Sequence, residues 1–227
     1  MKPRLVVLTG AGISAESGLR TFRDTDGLWE GYDIYEVASP IGWNKNPALV
    51  LDFYNMRRRD VRTALPNAAH KGLARLEEKY EVCIITQNID DLHERGGSSN
   101  VLHLHGEIFK MRSERDPRFT YPVEGDIQLG DTASDGGQLR PHIVWFGEEV
   151  PMIPRAASEM ARADIFVLVG TSLNVYPAAG LIDYLKEGVP KYIIDKKIPP
   201  VNHHSQLHLI EQPATTGVAA LLELLNV

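Results

Sequence analysis

Small, polar and titratable side chains follow several short apolar runs of this sequence. Residues 10–14 (GAGIS) and 87–90 (QNID) each come directly after such a run. His105 ends a third run, and residues 170–172 (GTS) end a fourth. Backbone amides of a glycine loop can hold phosphate, and polar groups at strand ends can hold a carboxamide or a ribose. A histidine beside them titrates near neutral pH and suits general base catalysis.

The first of these stretches, 10–15 (GAGISA), matches G-x-G-x-x-A. In this motif the glycines let the backbone approach a pyrophosphate, provided that a strand precedes it and a helix follows it. We predict both, although the same residues could form a plain tight turn. The acidic residue expected near the end of the second strand is missing. Asp195, after the last apolar run, could hold an adenosine ribose instead, or it could be a turn residue.

The two histidines of the alternating stretch 101–105 would share one face of a strand. One interpretation of His103 and His105 is a metal pair, and the other is a single functional histidine at the carboxyl end of the strand. No third ligand has suitable spacing, so we expect no metal here. The loop 87–90 also has two interpretations, which are ligand binding and helix capping.

Hydrophobic patterns predict alternating strands and helices. Runs rich in β-branched residues predict buried parallel strands at 5–9, 82–86, 165–169 and 192–194, with 101–105 as a fifth candidate. Helical spacing of apolar residues predicts helices at 47–64, 66–80, 154–162, 178–186 and 217–225. This order predicts an α/β fold, a doubly wound parallel Rossmann-like sheet with a small inserted lobe. Such a sheet brings the strand ends together at one edge.

Two polar stretches, 20–45 and 107–140, interrupt the alternation. We expect a single domain over 1–227, with a large lobe from about 1–30, 66–105 and 141–227 and a small lobe from about 31–65 and 106–140. Alternating apolar residues on either side of 124–126 predict a β-hairpin in the small lobe. They are Phe119, Tyr121 and Val123 before the turn, and Ile127 and Leu129 after it.

Composition narrows the classes of partner and compartment. The net charge of −6 over 227 residues argues against a nucleic-acid binder. The single cysteine, Cys83, excludes an internal disulfide and a multi-cysteine metal site, and burial is its expected place. The apolar run at 5–8 is too short for a signal peptide or a membrane span. We therefore expect a cytoplasmic monomer with neither a nucleic-acid nor a membrane partner.

Five segments, taken together, resemble the sirtuin family of NAD-dependent protein deacylases, in that family's order and over nearly the whole chain. They are 10–32 (GAGISAESGLRTFRDTDGLWEGY), 86–97 (TQNIDDLHERGG), 104–107 (LHGE), 139–148 (LRPHIVWFGE) and 169–180 (VGTSLNVYPAAG). The resemblance implies NAD as the cofactor and acylated lysine side chains of proteins as partners. The implied NAD-binding residues are Gly10, Ala11, Gly12, Ile13, Ser14, Phe22, Arg23, Trp29, Gln87, Asn88, Ile89, Asp90, His105, Gly170, Thr171, Ser172 and Asp195.

The same resemblance implies a reaction and a catalytic set. Asn88 and Asp90 would hold the nicotinamide carboxamide, and Gln87 would hold the adjoining ribose, with 22–23 closing over it. The acyl oxygen of the lysine attacks that ribose as nicotinamide leaves, and His105 then acts as the base that activates a ribose hydroxyl. The products are nicotinamide, O-acyl-ADP-ribose and free lysine. The implied catalytic residues are His105, Asn88 and Asp90.

The predicted helix 47–64 carries a pair that bears on acyl choice. Tyr54 and Arg57 are three residues apart and so share a helical face. They resemble the Tyr-x-x-Arg pair of the sirtuin class that accepts succinyl and malonyl lysine, in which guanidinium and phenol hold an acidic acyl group. The alternative is a solvated basic face, because 57–59 is an arginine run. The implied peptide-binding residues, which could also be core or loop, are Val144, Phe146, Gly147 and Glu148.

Sirtuins normally carry two Cys-x-x-Cys pairs between LHGE and LRPH that hold a structural zinc. In this sequence the corresponding positions are Ser113 and Asp116, then Thr132 and Asp135. The spacing remains but no thiolate does, so we expect no zinc. A structural zinc normally contributes folding free energy, and we expect packing of the predicted hairpin to replace it.

Three functions remain open at this point. The first is an NAD-dependent lysine deacylase, with desuccinylase or demalonylase activity beside deacetylase activity. The second is an NAD glycohydrolase or ADP-ribosyltransferase on the same fold, and the third is a non-catalytic NAD-binding module. The polar set at 87–90 with His105 disfavours the third, while the strand at 142–148 and the Tyr54/Arg57 pair favour the first.

Overall fold

A computed structural model of the protein describes residues 2–20, 28–29, 31–173, 175–199 and 206–227. The strands in chain order are β1 (Arg4–Thr9), β2 (Leu28–Trp29), β3 (Tyr32–Asp33), β4 (Glu81–Thr86), β5 (Val101–His103), β6 (Gly106–Ser113), β7 (Thr120–Pro122), β8 (Leu139–Ile143), β9 (Ile165–Val169), β10 (Lys191–Ile194) and β11 (Leu207–Ile210). The α-helices are α1 (Ile34–Val37), α2 (Pro40–Lys45), α3 (Pro47–Thr63), α4 (Ala68–Arg75), α5 (Leu92–Arg95), α6 (Ile153–Met160) and α7 (Ala214–Leu224).

The largest sheet has six parallel strands in the order β11-β10-β9-β1-β4-β5. Side chains of a strand alternate between faces, so both faces of the central strand β1 are apolar and both are covered. Leu5 and Val7 pack with residues of α4 and α7 on one side. Val6 and Leu8 pack with α6 and the segment 178–181 on the other. The predicted doubly wound parallel sheet is confirmed.

A second, smaller sheet is antiparallel, in the order β7-β6-β8. It packs with α3 around a separate apolar cluster that includes Phe53, Ile108 and Trp145. We propose that the two sheets mark the two lobes expected from the sequence. Among the helices of the described ranges, none combines the length and the apolar character needed to cross a membrane.

The predicted hairpin within 119–129 is wrong. Its first half, β7, pairs with β6 through Met111 and Tyr121 rather than with the residues that follow. Ile127 instead exchanges two hydrogen bonds of 3.0 Å with the side-chain amide of Asn55, and Leu129 is exposed. Alternation indicates which side chains share a face but does not identify the partner strand, which is why the error arose.

Two local predictions also need correction. The segment predicted as a helix at 178–186 is a 3-10 helix, Ala178–Tyr184. The strand predicted at 101–105 ends at His103. His105 therefore lies beyond the strand and does not share a strand face with His103. Leu104 is fully buried, and its N–H donates to the carbonyl of Thr86, which holds this connection against the end of β4.

Candidate active site

A cavity of about 730 Å³ lies at the carboxyl ends of β1, β4 and β9, within the size range of small-molecule sites. The predicted site residues that line it are Gly10, Ala11, Gly12, Ser14, Trp29, Tyr54, Arg57, Gln87, Asn88, Ile89, Asp90, His105, Val144, Phe146, Gly147, Glu148, Gly170, Thr171, Ser172 and Asp195. The side chain of Ile13 is packed in the core instead. Phe22 and Arg23 lie outside the described residues.

The loop after β1 packs closely against the loop after β9. The N–H of Gly12 donates to the carbonyl of Gly170 at 2.9 Å. A Cβ added to Gly12 would come within 2.7 Å of the Gly170 Cα, so only glycine permits this approach. Two short 3-10 helices, Ala11–Ile13 and Ala15–Ser17, follow where the motif predicted a helix. The glycines therefore shape the loop through contact with a second loop.

A buried hydrogen-bond network connects this loop to the loop after β4. The Ser14 hydroxyl accepts from the Asn88 side chain at 3.1 Å and donates to the Asp90 carboxylate at 3.1 Å. The second Asp90 oxygen accepts from the N–H of Leu92, the first residue of α5. Burial raises the pKa of Asp90, while its bonds to Leu92 and Ser14 oppose the rise. Amide and carboxylate together offer both a donor and an acceptor to a ligand carboxamide.

Two histidines, His70 and His93, are buried beneath this network, and no sequence pattern predicted a role for them. The ring Nδ1 of His70 accepts from the N–H of Asn67, which leaves its Nε2 protonated and 3.5 Å from the Ser14 hydroxyl. Burial lowers the pKa of His70 to about 4. His93 lies beside it, with ring centroids 5.0 Å apart, and its Nε2 contacts the Thr9 hydroxyl at 3.0 Å. Both rings are neutral and support the floor of the cavity.

The hydrogen bond and the pKa of His105 both suit a general base. Its Nδ1 lies 3.0 Å from the carbonyl of Gln87, which can only accept, so Nδ1 carries the proton and Nε2 is free to take one. Burial lowers the pKa of His105, and the bond to Gln87 partly offsets this effect. The ring is therefore neutral at pH 7. The Gln87 side chain reaches across the cavity and donates to the Thr171 hydroxyl at 3.1 Å.

His103 has a different environment. Its Nδ1 lies 3.0 Å from the carbonyl of Asn88, and its Nε2 lies 2.8 Å from the Glu94 carboxylate. Burial disfavours the charged ring, but the bond and charge of Glu94 outweigh it and raise the pKa of His103. Both ring nitrogens are thus occupied. Over the residues that the structure describes, no group of three or more His, Cys, Asp or Glu side chains could hold a metal ion.

The predicted acyl pair, Tyr54 and Arg57, lines the cavity. Tyr54 is fully buried and Arg57 is 6% exposed, so the alternative of a solvated basic face is wrong for this pair. The Arg57 guanidinium lies 5.6 Å from the ring centre of Trp29 and 3.6 Å from Asp60. Of the three consecutive arginines, only Arg59 is exposed, where it pairs with an aspartate at 2.7 Å.

The segment predicted to bind peptide is anchored by a buried ion pair that the sequence did not predict. Arg140 donates to Glu148 at 2.7 and 3.2 Å, and Arg112 reaches the same carboxylate at 3.4 Å. Glu148 also accepts from the N–H of Trp145 at 2.8 Å. These cations outweigh burial and lower the pKa of Glu148. Its carboxylate fixes the turn after β8, and a role in binding peptide remains a prediction.

Asp195, predicted to hold an adenosine ribose or to form a turn, follows β10. The N–H of Lys197 donates to its carboxylate at 3.0 Å, so the turn interpretation is correct. The residue also lines the cavity together with Lys196 and Lys197, so the ribose interpretation remains available. Both roles are compatible because a carboxylate has two oxygens.

Two of the four positions that correspond to zinc ligands, Ser113 and Asp135, are joined by hydrogen bonds. The Ser113 hydroxyl, 1% exposed, donates to the Asp135 carboxylate, whose oxygens lie at 2.8 and 2.9 Å. It also accepts from the N–H of Arg115 at 3.1 Å. Asp116 pairs with Arg118 outside this contact. One residue from each former pair therefore joins the two turns directly, in place of the hairpin packing that the sequence predicted.

Comparison with known proteins is consistent with this geometry. A sequence profile described as the Sir2 family matches residues 10–177. A curated relative from Helicobacter pylori, named NAD-dependent protein deacylase, is 55% identical over 218 residues, covering 96% of this chain and 95% of the relative. A relative of the same name from Bacteroides thetaiotaomicron is 52% identical over 229 residues, covering 97% of each chain.

Solved structures agree with the sequence relatives. The crystal structure of a Sir2 homologue in complex with NAD has a TM-score of 0.88 and 39% identity, covering 99% of this chain and 90% of the other. An ADP-ribose complex of a mutant Sir2 homologue has a TM-score of 0.87 and 37% identity, covering 100% of this chain and 94% of the other.

Proposed function

The chain belongs to the Sir2 family, and we propose that it is an NAD-dependent protein lysine deacylase that accepts acidic as well as acetyl groups. One observation carries the proposal. A single cavity is lined by a neutral histidine base, an amide–carboxylate pair and a buried tyrosine–arginine pair. Together with one water, NAD and the acyl-lysine would give nicotinamide, O-acyl-ADP-ribose and free lysine.

The cavity fits NAD in volume and in chemistry. Its approximately 730 Å³ extends from the glycine loop at 10–12 past Asn88 and Asp90. Ser14 holds these two side chains by hydrogen bonds, so a ligand meets groups that are already oriented. When bound, NAD supplies a leaving group, nicotinamide, and the ribose carbon that receives the acyl oxygen. Orientation of reactants is the main contribution required from such groups.

The proposed role of His105 follows from its tautomer. With Nδ1 donating to the Gln87 carbonyl, Nε2 is the atom that accepts a proton from a ribose hydroxyl. A lowered pKa keeps Nε2 unprotonated at neutral pH. The hydroxyl oxygen that loses its proton is then able to attack the acyl carbon bound to the lysine.

The proposed acyl selectivity rests on burial of Tyr54 and Arg57. A buried guanidinium stabilises a carboxylate more strongly than an exposed one, because water competes less for the ion pair. Arg57 and Tyr54 line the same cavity as His105, so an acyl group bound next to His105 could reach them. A succinyl or malonyl group brings a carboxylate to this place, while an acetyl group does not.

The activity is tested by measuring nicotinamide release from NAD with and without an acyl-lysine peptide. A deacylase releases nicotinamide at a rate that depends on the peptide and yields one deacylated lysine for each nicotinamide. Release that ignores the peptide would indicate an NAD glycohydrolase instead. No release under either condition, with NAD still bound, would indicate a non-catalytic NAD-binding module.

The selectivity is tested with Arg57→Met, which keeps the length of the side chain but removes its charge. We expect kcat/KM for a succinyl peptide to fall about tenfold or more relative to an acetyl peptide, as for loss of a charged hydrogen bond. Arg59→Met is the matched control, because Arg59 lies on the same helix but is exposed and pairs with Asp126. An unchanged preference in Arg57→Met would contradict the proposed pocket.

A further inference from the structure

Trp145 donates a hydrogen bond from its indole Nε1 to the Tyr54 hydroxyl, at 3.1 Å. The two side chains come from α3 and from the turn after β8, and they are 0% and 2% exposed. Both line the cavity beside Arg57. The tyrosine of the proposed acyl pocket therefore has a fixed partner that is not part of the Tyr-x-x-Arg pattern.

The chemistry of the two groups fixes the direction of this bond. An indole N–H can only donate, so the phenol oxygen must accept, and the phenol proton must point elsewhere. Among the residues that the structure describes, no hydrogen bond carries that proton to a protein acceptor. Burial raises the pKa of Tyr54, so the phenol keeps its proton at neutral pH. The Tyr54 hydroxyl can therefore donate a hydrogen bond to a ligand acceptor in the cavity.

The indole itself is held from several sides. The Arg140 guanidinium lies 3.2 Å from the centre of the Trp145 ring. Glu148 holds Arg140 at 2.7 Å and also accepts from the Trp145 backbone N–H at 2.8 Å. The ring of Trp43 packs against the indole, with centroids 5.6 Å apart. A donor fixed in this way restricts the rotation of the phenol O–H that it contacts.

We infer that Trp145 is a positioning residue for acyl selectivity, which holds the Tyr54 hydroxyl so that its proton faces the carboxylate of an acidic acyl group. This inference rests on the proposed deacylase function. An ionised carboxylate only accepts hydrogen bonds and matches a phenol presented as a donor. An acetyl group offers no acceptor at that point, so the effect is specific to acidic acyl groups.

The test compares Trp145→Phe, Tyr54→Phe and the double variant with the unmodified protein, using succinyl-lysine and acetyl-lysine peptides of one sequence. Trp145→Phe keeps a ring for Arg140 to lie against but removes the N–H. Trp43→Phe is the matched control: it removes a neighbouring indole N–H, which donates to Glu114 and does not contact Tyr54. The quantity measured is the succinyl-to-acetyl ratio of kcat/KM.

We expect Trp145→Phe to lower that ratio by about fivefold, the factor of one net hydrogen bond, mainly through the KM of the succinyl peptide. Tyr54→Phe lowers it at least as much. In the double variant the two effects are not additive, because Trp145 acts through a hydroxyl that is already gone. Trp43→Phe leaves the ratio unchanged.

Two kinetic results would overturn the inference. One is a ratio in Trp145→Phe equal to that of the unmodified protein, and the other is an equal fall in Trp43→Phe and Trp145→Phe. If Trp145→Phe does not fold, ¹⁵N-labelled indole signals of the three tryptophans give a second measurement. We expect Tyr54→Phe to shift the Trp145 indole signal and to speed its exchange with solvent. An unaffected signal would also contradict the inference.

Failure of the inference is distinguishable from failure of the proposed function. If Arg57→Met and Tyr54→Phe both leave the acyl preference unchanged, the acidic acyl pocket itself is wrong. If these two variants lower the preference and Trp145→Phe does not, the pocket stands and only the positioning role of Trp145 fails.

Discussion

His103 and His105, two residues apart, donate from the same ring atom, Nδ1, to the carbonyls of two consecutive residues, Asn88 and Gln87. The parallel bonds tie the end of β5 to the loop that carries the proposed carboxamide-binding side chains. Their second ring nitrogens differ, because Glu94 occupies that of His103 and the cavity is open to that of His105. Histidine therefore has a structural role at position 103 and, we propose, a catalytic role at position 105.

The first prediction concerns His105→Ala. Removal of the base should lower deacylation by at least about a hundredfold, the lower range for general base catalysis. NAD binding should change little by comparison, because Ser14, Asn88 and Asp90 keep their mutual hydrogen bonds. Steady-state kinetics and calorimetric NAD titration separate the two effects. Undiminished deacylation would show that another group is the base.

A second prediction is the pH dependence of kcat/KM. A base must be unprotonated to act, and burial lowers the pKa of His105 below its ordinary value of 6.5. The acid limb of the profile should therefore lie below pH 6.5, and full activity should extend to more acidic pH than an exposed histidine would allow. Rates measured across the neutral and mildly acidic range locate this limb. A limb centred above pH 7 would contradict the tautomer and burial of His105.

The His103–Glu94 pair leads to a prediction about stability. The folded pKa of His103 is raised, so its contribution is fully present below its unfolded value of 6.5 and is lost as pH rises through the folded value. The folded pKa of Glu94 is lowered, so its contribution is fully present above the unfolded value of 4.5 and is lost as pH falls through the folded value. The pair therefore stabilises the fold most between these limits.

Glu94→Gln tests this stability window. The Glu94 side chain is 42% exposed, so water screens the pair, and we expect a loss of about 0.5–1 kcal/mol near pH 6 and less near pH 9. Urea unfolding at both pH values measures the difference. An equal loss at both would mean that the charge on His103 does not contribute.

Ser113→Ala should weaken the small lobe. The buried hydroxyl joins Asp135 to the N–H of Arg115, and its removal leaves both without that partner. We expect a loss of about 1–2 kcal/mol in the free energy of unfolding and faster proteolysis within 113–137. Ser134→Ala is the matched control, because Ser134 lies next to Asp135 but is exposed, and its hydroxyl contacts the Tyr121 hydroxyl rather than Asp135. Equal effects of the two variants would argue against a special role for the Ser113–Asp135 contact.

Metal content is the fifth prediction. Serine and threonine are poor zinc ligands, and the Ser113 hydroxyl is already bonded to Asp135. Purified protein should contain far less than one zinc per chain, and a chelator should leave the melting temperature unchanged. Elemental analysis and thermal unfolding check both points. Stoichiometric zinc that is lost together with stability on chelation would contradict the prediction.

Strand order explains how much of the site could be predicted. The apolar runs at 5–9 and 82–86 predict buried parallel strands, and in the structure these strands are neighbours, with Thr9 opposite Thr86. Polar residues placed directly after such strands must meet at one edge, which is how Ser14 comes to bond Asn88. Local patterns were enough for this prediction, because the parallel pairing of β1 with β4 brings the residues after both strands together.

Other parts of the site had no local pattern. His70 and His93 sit on helices among apolar neighbours, and only the folded chain shows that their rings meet beneath Ser14. The Arg140–Glu148 pair likewise could not be predicted from the sequence, because only the folded arrangement of β8 and the following turn brings the two charges together. β11, at the sheet edge, has only four residues, two of them exposed, and so lacks the apolar run that marks the other strands.

The close contact between Gly12 and Gly170 bears on how the protein folds during synthesis. Gly12 and Gly170 are far apart in sequence, so the loop at 10–12 lacks its partner until Gly170 has been synthesised. Contacts this distant in sequence form late, because a long segment must be ordered before they close. The loop at 10–14 should therefore be among the last parts of the nascent protein to reach its final shape.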